Sequence, residues 1–490
     1  MKKLLIYLFL FTIMLSGCHS TENNKENNPA TTINLSDDKI TVNGNDITNQ
    51  TSSAVYAAND IIFYLEGNDF TYGEGTKDDE HSQSEADAHT VVHITKPGKY
   101  LLSGKLSKGQ IAVDLGDDAK DDENAVVTLV FNGVDITCSV APAIIFYNVY
   151  ECGNKNESKA SKDVDTSKAG ANVIIAEGTT NNVNGSYVAK IYDPESVELN
   201  ENKTEVEDAD KLHKYDGAFY SKMSMNISGG KSNTGVLNIN AKNEGIGSEL
   251  HLTINSGIIN ITSGNDGINT NEDNVSVTTI NGGEINILCD GSTGEGDGID
   301  SNGWLVINGG TVISQACATS GDAGIDSDKG IYINGGNVVA TGNMLDRIAG
   351  GEQTYAVFNF KARQNGDNLY SLKNTNGSSI FEFTPKNAFT YLIFSGDNLV
   401  DGDYTFWQGK TQLCGSKGSG MNGMPNGERP ERPNEQPPEK PDGDYRPKPP
   451  DGAVPPDNFG GNMSESGEIS TTFSITKGGN QFINIFPSTK

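Results

Sequence analysis

Short runs of apolar and β-branched residues alternate with polar positions through most of the chain, and no helical period is sustained. Clear examples are residues 91–95, 126–131 and 172–176. Alternation with a period of two is typical of half-buried β-strands, and the glycines, asparagines and aspartates between the runs are typical of turns. The pattern therefore predicts an all-β protein.

A six-residue motif of the type Leu-Thr-Ile-Asn-Ser-Gly recurs at steps of 26 or 27 residues. Its polar residue before the glycine falls at Ser228, Asn255, Asn281, Asn308 and Asn334. A fixed period of this size indicates stacked structural repeats, in which each short strand pairs with the equivalent strand of the next repeat. We therefore predict a right-handed parallel β-helix over residues 54–414, and a structural ladder of hydrogen bonds between the stacked asparagines.

A second motif in each repeat consists of Gly-Ile followed by small polar or acidic residues. If the isoleucine points into the core, the next residue faces outward, so that equivalent residues of successive repeats stand about 4.8 Å apart. This predicts one vertical line of Asn269, Asp300 and Asp326.

Several further acidic residues flank that line. Stacked carboxylates repel one another, and a hard divalent cation such as Ca²⁺ offsets the repulsion by accepting carboxylate and amide oxygens. The alternative is a set of solvated acidic turns. The predicted calcium ligands are Asp266, Asn269, Asp297, Asp300, Asp322, Asp326 and Asp328.

The N-terminus carries an export signal. Lys2 and Lys3 precede an apolar run over residues 4–15, which is short for a membrane span, and Leu15-Ser16-Gly17-Cys18 looks like a bacterial lipobox. We expect residues 1–17 to be a lipoprotein signal peptide, Cys18 to be lipidated, and residues 18–53 to be a flexible tether. The protein would then be extracellular, anchored by its lipid to the outer face of the cell membrane.

The C-terminal part combines two compositions. Residues 415–467 are rich in proline, glycine and charge, which predicts a disordered insert because such a segment cannot bury a core. Residues 468–490 alternate again, so we expect the chain to return there and supply terminal strands.

The formal net charge of -29 excludes nucleic acid and anionic lipid as partners. This negative charge favours the binding of cations, or of an acidic polymer that is held through bound cations. We expect a monomer that contacts the membrane only through its lipid.

Several segments together resemble the carbohydrate-binding β-helix family of anaerobic Gram-positive bacteria. The resemblance covers about residues 85–410 and the last strands, and it is carried by the Gly-Ile-Asp-Ser repeats and by residues 94–100, 130–136, 176–181 and 216–222. The fold of that family is similar to pectate lyases, and its members look like calcium-containing binders of plant-wall polysaccharide. The resemblance implies Ca²⁺ as cofactor and a polygalacturonate- or pectin-like ligand.

Three functions fit these observations: a non-catalytic binder of acidic polysaccharide, a polysaccharide lyase on the same fold, or a structural or adhesive surface protein. A lyase needs a base beside its cation, and Lys329, which adjoins Asp328, is the candidate. Strand alternation turns Trp304 outward, with Tyr332 on the next repeat, so these two aromatic residues are the predicted carbohydrate contacts.

Overall fold

The computed structural model describes residues 30–230, 233–419, 464–465 and 467–488. These residues form an all-β structure whose helical content is one four-residue α-helix, Gln83–Ala86, and two 3₁₀ turns, Asp117–Asp121 and Glu157–Lys159. Within them, no helix is both long and apolar enough to cross a membrane. The predicted signal peptide and Cys18 lie outside the described residues.

The Asn-Gly repeats form a ladder of parallel strands, here called the first ladder. Leu252 is opposite Thr278, and Thr278 is opposite Leu305, so equivalent residues of successive repeats pair directly as predicted. The strands of the first ladder are Thr31–Leu35, Gly98–Leu106, Val127–Thr137, Ala171–Ile175, Met225–Ser228, His251–Ile254, Val277–Ile280, Trp304–Ile307, Gly330–Ile333 and Ile348–Gly350.

Two further ladders run alongside the first. The second ladder, which belongs to the same 27-stranded sheet, extends from Val127–Thr137 through Thr180–Gly185, Val236–Ala241, Ile258–Ser263, Glu284–Cys289, Thr311–Gln315 and Asn337–Gly342. A separate eight-stranded sheet carries the first three Gly-Ile motifs, and its pairs are parallel except the first, which is antiparallel. Its strands are Val55–Ala58, Thr90–Ile94, Gly109–Asp114, Ile144–Asn148, Gly217–Ser221, Glu244–Ser248, Ile268–Thr270 and Ile299–Ser301.

Beyond the repeats the strands are mostly antiparallel. Asn337–Gly342 pairs antiparallel with Phe389–Ser395, and an aromatic core forms there in which the Phe358 and Phe406 ring centroids are 4.2 Å apart. The C-terminal strands are Tyr355–Gln364, Tyr370–Asn374, Ser379–Phe383, Phe389–Ser395, Gly402–Gln408, Thr411–Ser419, Ser464–Glu465, Phe473–Ile475 and Gly479–Pro487. Short antiparallel strands also occur at Thr41–Val42, Asn45–Asp46, Val188–Tyr192, Glu198–Leu199, Val206–Asp208 and Lys211–Tyr215.

The predicted fold class, a right-handed parallel β-helix over residues 54–414, is wrong. The 27-stranded sheet mixes parallel and antiparallel pairs, so the described chain consists of large mixed sheets and not of a closed parallel β-helix. The prediction extended the period of the central repeats to the whole body. After the last Asn-Gly motif that period is lost, and longer strands with aromatic residues reverse direction to close their own core.

The described ends of the chain also differ from the prediction. Residues 30–53, assigned to the tether, contain Thr31–Leu35, which pairs with Gly98–Leu106 and buries Ile33 and Leu35. Most of the predicted insert at 415–467 lies outside the described residues, although its first residues belong to the strand Thr411–Ser419.

Stacked asparagines are linked as predicted. The Asn281, Asn308 and Asn334 side-chain amides each donate to the preceding asparagine of the column, over 3.0, 2.9 and 2.8 Å. A second asparagine column, not recognised in the sequence, runs along the second ladder with the same geometry through Asn182, Asn238, Asn260 and Asn286.

We expect Asn308→Ala to lower the free energy of unfolding by on the order of 1 kcal/mol, because this exposed residue makes two amide bonds of the column. Asn255→Ala, at the end of the column, removes one such bond and should cost about half as much. Urea unfolding of both variants measures the difference. Equal costs would show that the amide bonds contribute nothing beyond the turn itself.

Candidate cation site on the eight-stranded sheet

The Gly-Ile strands stack in the predicted register. Gly247 is opposite Asn269, Asn269 is opposite Asp300, and the Asp326 backbone N–H donates to the Ile299 carbonyl over 2.7 Å. The isoleucines of the motif are fully buried, which confirms that they point into the core: Ile246, Ile268, Ile299 and Ile325. The residue after each isoleucine therefore lies on the outer face of the sheet.

Acidic and amide side chains gather here. We call this set the acidic column, and it consists of Glu244, Asp266, Asn269, Asp297, Asp300 and Asp326. Glu244, Asn269 and Asp300 lie on three successive strands about 4.8 Å apart, and the other three residues lie in the irregular segments beside these strands. Five of the six were predicted from the sequence. Glu244 was not, although it directly precedes the Gly-Ile pair of its own repeat.

Glu244 and Asn269 face each other with unused hydrogen-bonding capacity. The Asn269 amide donates to Glu244 Oε1 over 2.9 Å. Glu244 Oε2 and Asn269 Oδ1 are buried and have no hydrogen-bond partner within the described chain. An unpartnered buried oxygen costs free energy, and a cation at this position would satisfy both atoms.

Asp266 and Asp297 already have a structural role. Asp266 Oδ1 accepts the Asp297 backbone N–H over 2.7 Å, and Asp297 Oδ1 accepts the Ala323 backbone N–H over 2.5 Å. Each carboxylate thus binds the turn of the next repeat. This explains why the acidic residue recurs, and it leaves one oxygen of each group uncommitted to these backbone bonds.

Burial and mutual repulsion raise the pKa values of the column. Burial, followed by the charge of Asp216, raises the pKa of Glu244 to about 8. Burial, followed by the charge of Asp300, raises the pKa of Asp266 well above its usual value. The pKa of Asp297 is raised in the same way, by burial first and then most strongly by the charge of Asp326. The column therefore favours either bound protons or a compensating cation.

Asp346 extends the column beyond the predicted residues. Its carboxyl shares a hydrogen bond with that of Asp326 and accepts the Ser327 backbone N–H over 3.1 Å. Burial, then repulsion from Asp346 and Asp300, raises the pKa of Asp326 to about 8. Asp346 comes from the segment after the last repeat, so the repeat pattern gives no signal for it.

Three further predicted residues lie beside the column or away from it. Asp322 Oδ2 accepts the Gly296 backbone N–H over 2.6 Å, and its charge helps to raise the pKa of both Asp266 and Asp297, so it lies beside the column. Asp328 is exposed at the surface. Lys329, the candidate base, forms an ion pair with Glu157, with 3.6 Å between Nζ and Oε1.

The predicted aromatic contacts lie on the first ladder and not on the sheet of the acidic column. Trp304 is half-buried, and Tyr332 stands opposite Val306 as predicted. Val306, although outward by alternation, is 5% exposed. Lys162 Nζ lies 5.3 Å from the centre of the Tyr332 ring, so the loop that contains it reaches this face.

That loop, residues 153–169, follows the first ladder across several repeats. Lys155 pairs with Glu272 over 2.6 Å, and Thr166 Oγ1 lies 2.7 Å from both Asn226 Oδ1 and Thr253 Oγ1. Thr166 is buried. We call residues 153–169 the covering segment, because a stretch expected to be a surface loop is anchored on the outer face of the sheet.

An aromatic cluster borders the acidic column. Tyr220 stands opposite Gly247 and donates to Glu249 Oε1 over 2.6 Å. The Tyr215 ring lies 5.7 Å from Tyr220, and 5.5 Å from Tyr147. Aligning residues 217–221 with the later Gly-Ile strands would have placed Tyr220 in this line.

The described residues contain no group of three or more His, Cys, Asp or Glu side chains arranged to hold a metal ion by themselves. A cation here would therefore need amide, backbone, water or ligand oxygens besides the carboxylates. Ca²⁺ accepts such mixed oxygen sets, and the unpartnered Glu244 and Asn269 oxygens are of the required type. The donors present thus fit Ca²⁺, with Glu244, Asn269 and Asp300 as the residues that would hold it.

Comparison with known protein families shows the family to which the chain belongs. A family model described as carbohydrate-binding domain-containing protein matches residues 88–365, more than half of the chain. The chain belongs to this family, which confirms the resemblance inferred from its motifs. Carbohydrate binding is the general function that this membership supports.

Other comparisons add less. No curated protein matches the sequence. Among solved structures, the chain is similar to the polysaccharide lyase-like protein from C. thermocellum, in a gadolinium derivative. The two are 20% identical over 63% of this chain and 93% of that chain, with a TM-score of 0.33. A likeness at this level does not extend to function.

The raised pKa values predict a pH dependence of the metal-free protein. Glu244, whose folded pKa is about 8 against an ordinary value of 4.5, holds its proton more tightly when folded. Its contribution to stability is therefore present below pH 4.5 and is lost as the pH rises toward 8. In EDTA, the melting temperature should fall over this range.

Glu244→Gln should reduce that fall, whereas Glu284→Gln, at an exposed position, should leave it unchanged. Differential scanning fluorimetry across the pH range makes the measurement. An identical pH profile for wild type and Glu244→Gln would contradict the assignment of the proton to this carboxyl.

Proposed function

We propose that the protein is a surface lipoprotein that binds acidic polysaccharide through Ca²⁺ held at the acidic column. The observation that carries the proposal is the pair of buried, unpartnered oxygens, Glu244 Oε2 and Asn269 Oδ1, among carboxyls that repel one another. Membership of the carbohydrate-binding family supports the polysaccharide, and the electrostatics of the column support the cation.

The charge balance favours a bridging cation. With a formal net charge of -29, the surface repels a polyanion at long range. A bound divalent ion supplies strong local positive charge. Ca²⁺ takes about six to eight oxygen ligands, so that Glu244, Asn269 and Asp300 leave coordination positions for a uronate carboxylate.

Geometry supports repeated contacts with a polymer. Successive strands of the column are about 4.8 Å apart, so the acidic face extends along the stacking direction of the sheet. Tyr220, opposite Gly247 in the same line, is 1% exposed, so its ring is packed inside the protein and does not contact a bound sugar. A pectin-like chain presents carboxylates along its length, which match a cation held on this face.

Binding without cleavage is favoured over the lyase alternative. Lys329, the candidate base, pairs with Glu157 of the covering segment, and Asp328 beside it is exposed outside the column. A base for β-elimination needs a free amine near the cation-bound sugar. The ion pair directs the Lys329 amine toward Glu157.

We expect wild-type protein to be retained on polygalacturonate in Ca²⁺ and released by EDTA. Asp300→Ala combined with Asp326→Ala should weaken binding by about tenfold or more, equivalent to about 1.4 kcal/mol, because it removes two oxygen donors of the column. Asp328→Ala, two residues after Asp326 and exposed, is the matched control and should bind as wild type.

Melting temperature, measured at each calcium level, separates loss of binding from loss of folding. Retention on polygalacturonate that survives complete metal removal would refute cation bridging. Accumulation of unsaturated sugar products, followed by ultraviolet absorbance, would instead identify a lyase.

Export and lipidation form a separate part of the proposal. Leu15-Ser16-Gly17-Cys18 supports them, and it lies outside the described residues. Cys18→Ser should abolish incorporation of labelled fatty acid and shift the full-length protein from the membrane fraction to the medium or to an unprocessed precursor. Cys152→Ser is the matched control. Unchanged labelling of Cys18→Ser would show that the lipid, if present, is attached elsewhere.

A further inference from the structure

A groove of about 360 Å³ lies on the outer face of the first ladder, on a different sheet from the acidic column. Its volume is within the range of small-ligand sites. None of its lining residues is charged, although the protein as a whole is strongly acidic. The lining includes Thr128, Asn172, Ile174, Asn226, Ser228 and Ser256.

The floor of the groove follows directly from strand register. Thr128 is opposite Asn172, and Asn172 is opposite Asn226, which forms one polar row. Ile174 is opposite Ser228 in the neighbouring row. Three strands spaced about 4.8 Å apart give a floor about 10 Å across, which is comparable to two linked sugar rings.

The covering segment holds one side of the groove rigid. The Asn226 amide donates to the Thr166 carbonyl over 2.7 Å and to Asn172 Oδ1 over 3.1 Å. The Asn172 amide donates to the Ala169 carbonyl over 2.7 Å. Both asparagines are therefore fixed before any ligand arrives, which lowers the entropy cost of binding.

Other groups of the lining remain available. The Thr128 and Ser228 hydroxyls make no hydrogen bond within the part of the chain that the structure describes, and both residues are half-buried. Ile174, also half-buried, adds an aliphatic surface between them. Free hydroxyls beside an aliphatic patch match a sugar, which presents hydroxyl groups at its edge and C–H groups on its face.

We propose that this groove binds uncharged sugar residues of a polysaccharide, independently of the acidic column and of Ca²⁺. None of the lining residues is charged, so the lining itself offers a ligand hydroxyl, amide and aliphatic groups. Charged residues lie at its margin, with Glu177 beside Gly230 and Lys99 opposite Thr128 on the next strand. The proposal does not rest on the calcium mechanism. It adds a second ligand class, neutral glycan, at a second place on the fold.

The test is isothermal titration calorimetry of the mature chain with cellohexaose, xylohexaose and mannohexaose in EDTA. At least one of these should bind wild type. Ser228→Tyr, which fills the groove, should raise the Kd for that oligosaccharide about tenfold or more. Thr311→Tyr, a half-buried position on the second ladder, is the matched control and should leave Kd unchanged.

A subtler variant, Thr128→Val, keeps the side-chain shape and removes the hydroxyl, so it should raise Kd about threefold to tenfold. Asp300→Ala should bind the neutral oligosaccharide as wild type does, which separates this groove from the acidic column. Melting curves verify folding of every variant. The inference is overturned if no neutral oligosaccharide binds wild type, or if the Ser228→Tyr variant, while folded, binds as tightly as wild type.

Discussion

The in-register parallel pairing of the central repeats is the constraint on which the rest of the structure depends. Each backbone position pairs with its equivalent in the next repeat, as Leu252 with Thr278 and Asn269 with Asp300. Any residue type that recurs is therefore stacked on itself at about 4.8 Å. For isoleucine the result is a continuous core, and for asparagine it is a ladder of amide bonds. For aspartate the same stacking produces repulsion, which the protein must offset.

Some residues of the acidic column have a structural role, and others are left for the proposed cation. Asp266 and Asp297 each bind a backbone N–H of the next repeat, which stabilises the turns. Glu244 and Asn269 retain buried oxygens without partners. Carboxyl groups with raised pKa values bind protons and become neutral, which removes their mutual repulsion. A bound cation would also remove the repulsion, while the carboxylates stay ionised and the unpartnered oxygens gain a ligand. Protons and a divalent ion thus compete for the same side chains.

The two outer faces of the stacked strands differ in chemistry although they share one backbone register. The eight-stranded sheet presents the carboxylates of the acidic column, while the first ladder presents hydroxyl, amide and aliphatic groups at the groove and the aromatic residues Trp304 and Tyr332 on later strands. The covering segment contributes to this difference, because its hydrophilic sequence is anchored by the buried Thr166 and by the Lys155–Glu272 ion pair. It also places Lys162 against Tyr332, a residue that alternation alone would leave open to solvent.

The sequence by itself determined the all-β class, the pairing of repeats, the inward isoleucines, the asparagine ladder and the alignment of Asn269 with Asp300. These features depend on local alternation and a constant repeat length, and both can be read directly from the amino-acid sequence. Tertiary structure alone decided the antiparallel C-terminal strands, the burial of Ile33, the arrival of Asp346 beside Asp326, and the position of residues 153–169 over the first ladder. Each of these brings together segments that share no repeat, and a period constrains only the contacts between one repeat and the next.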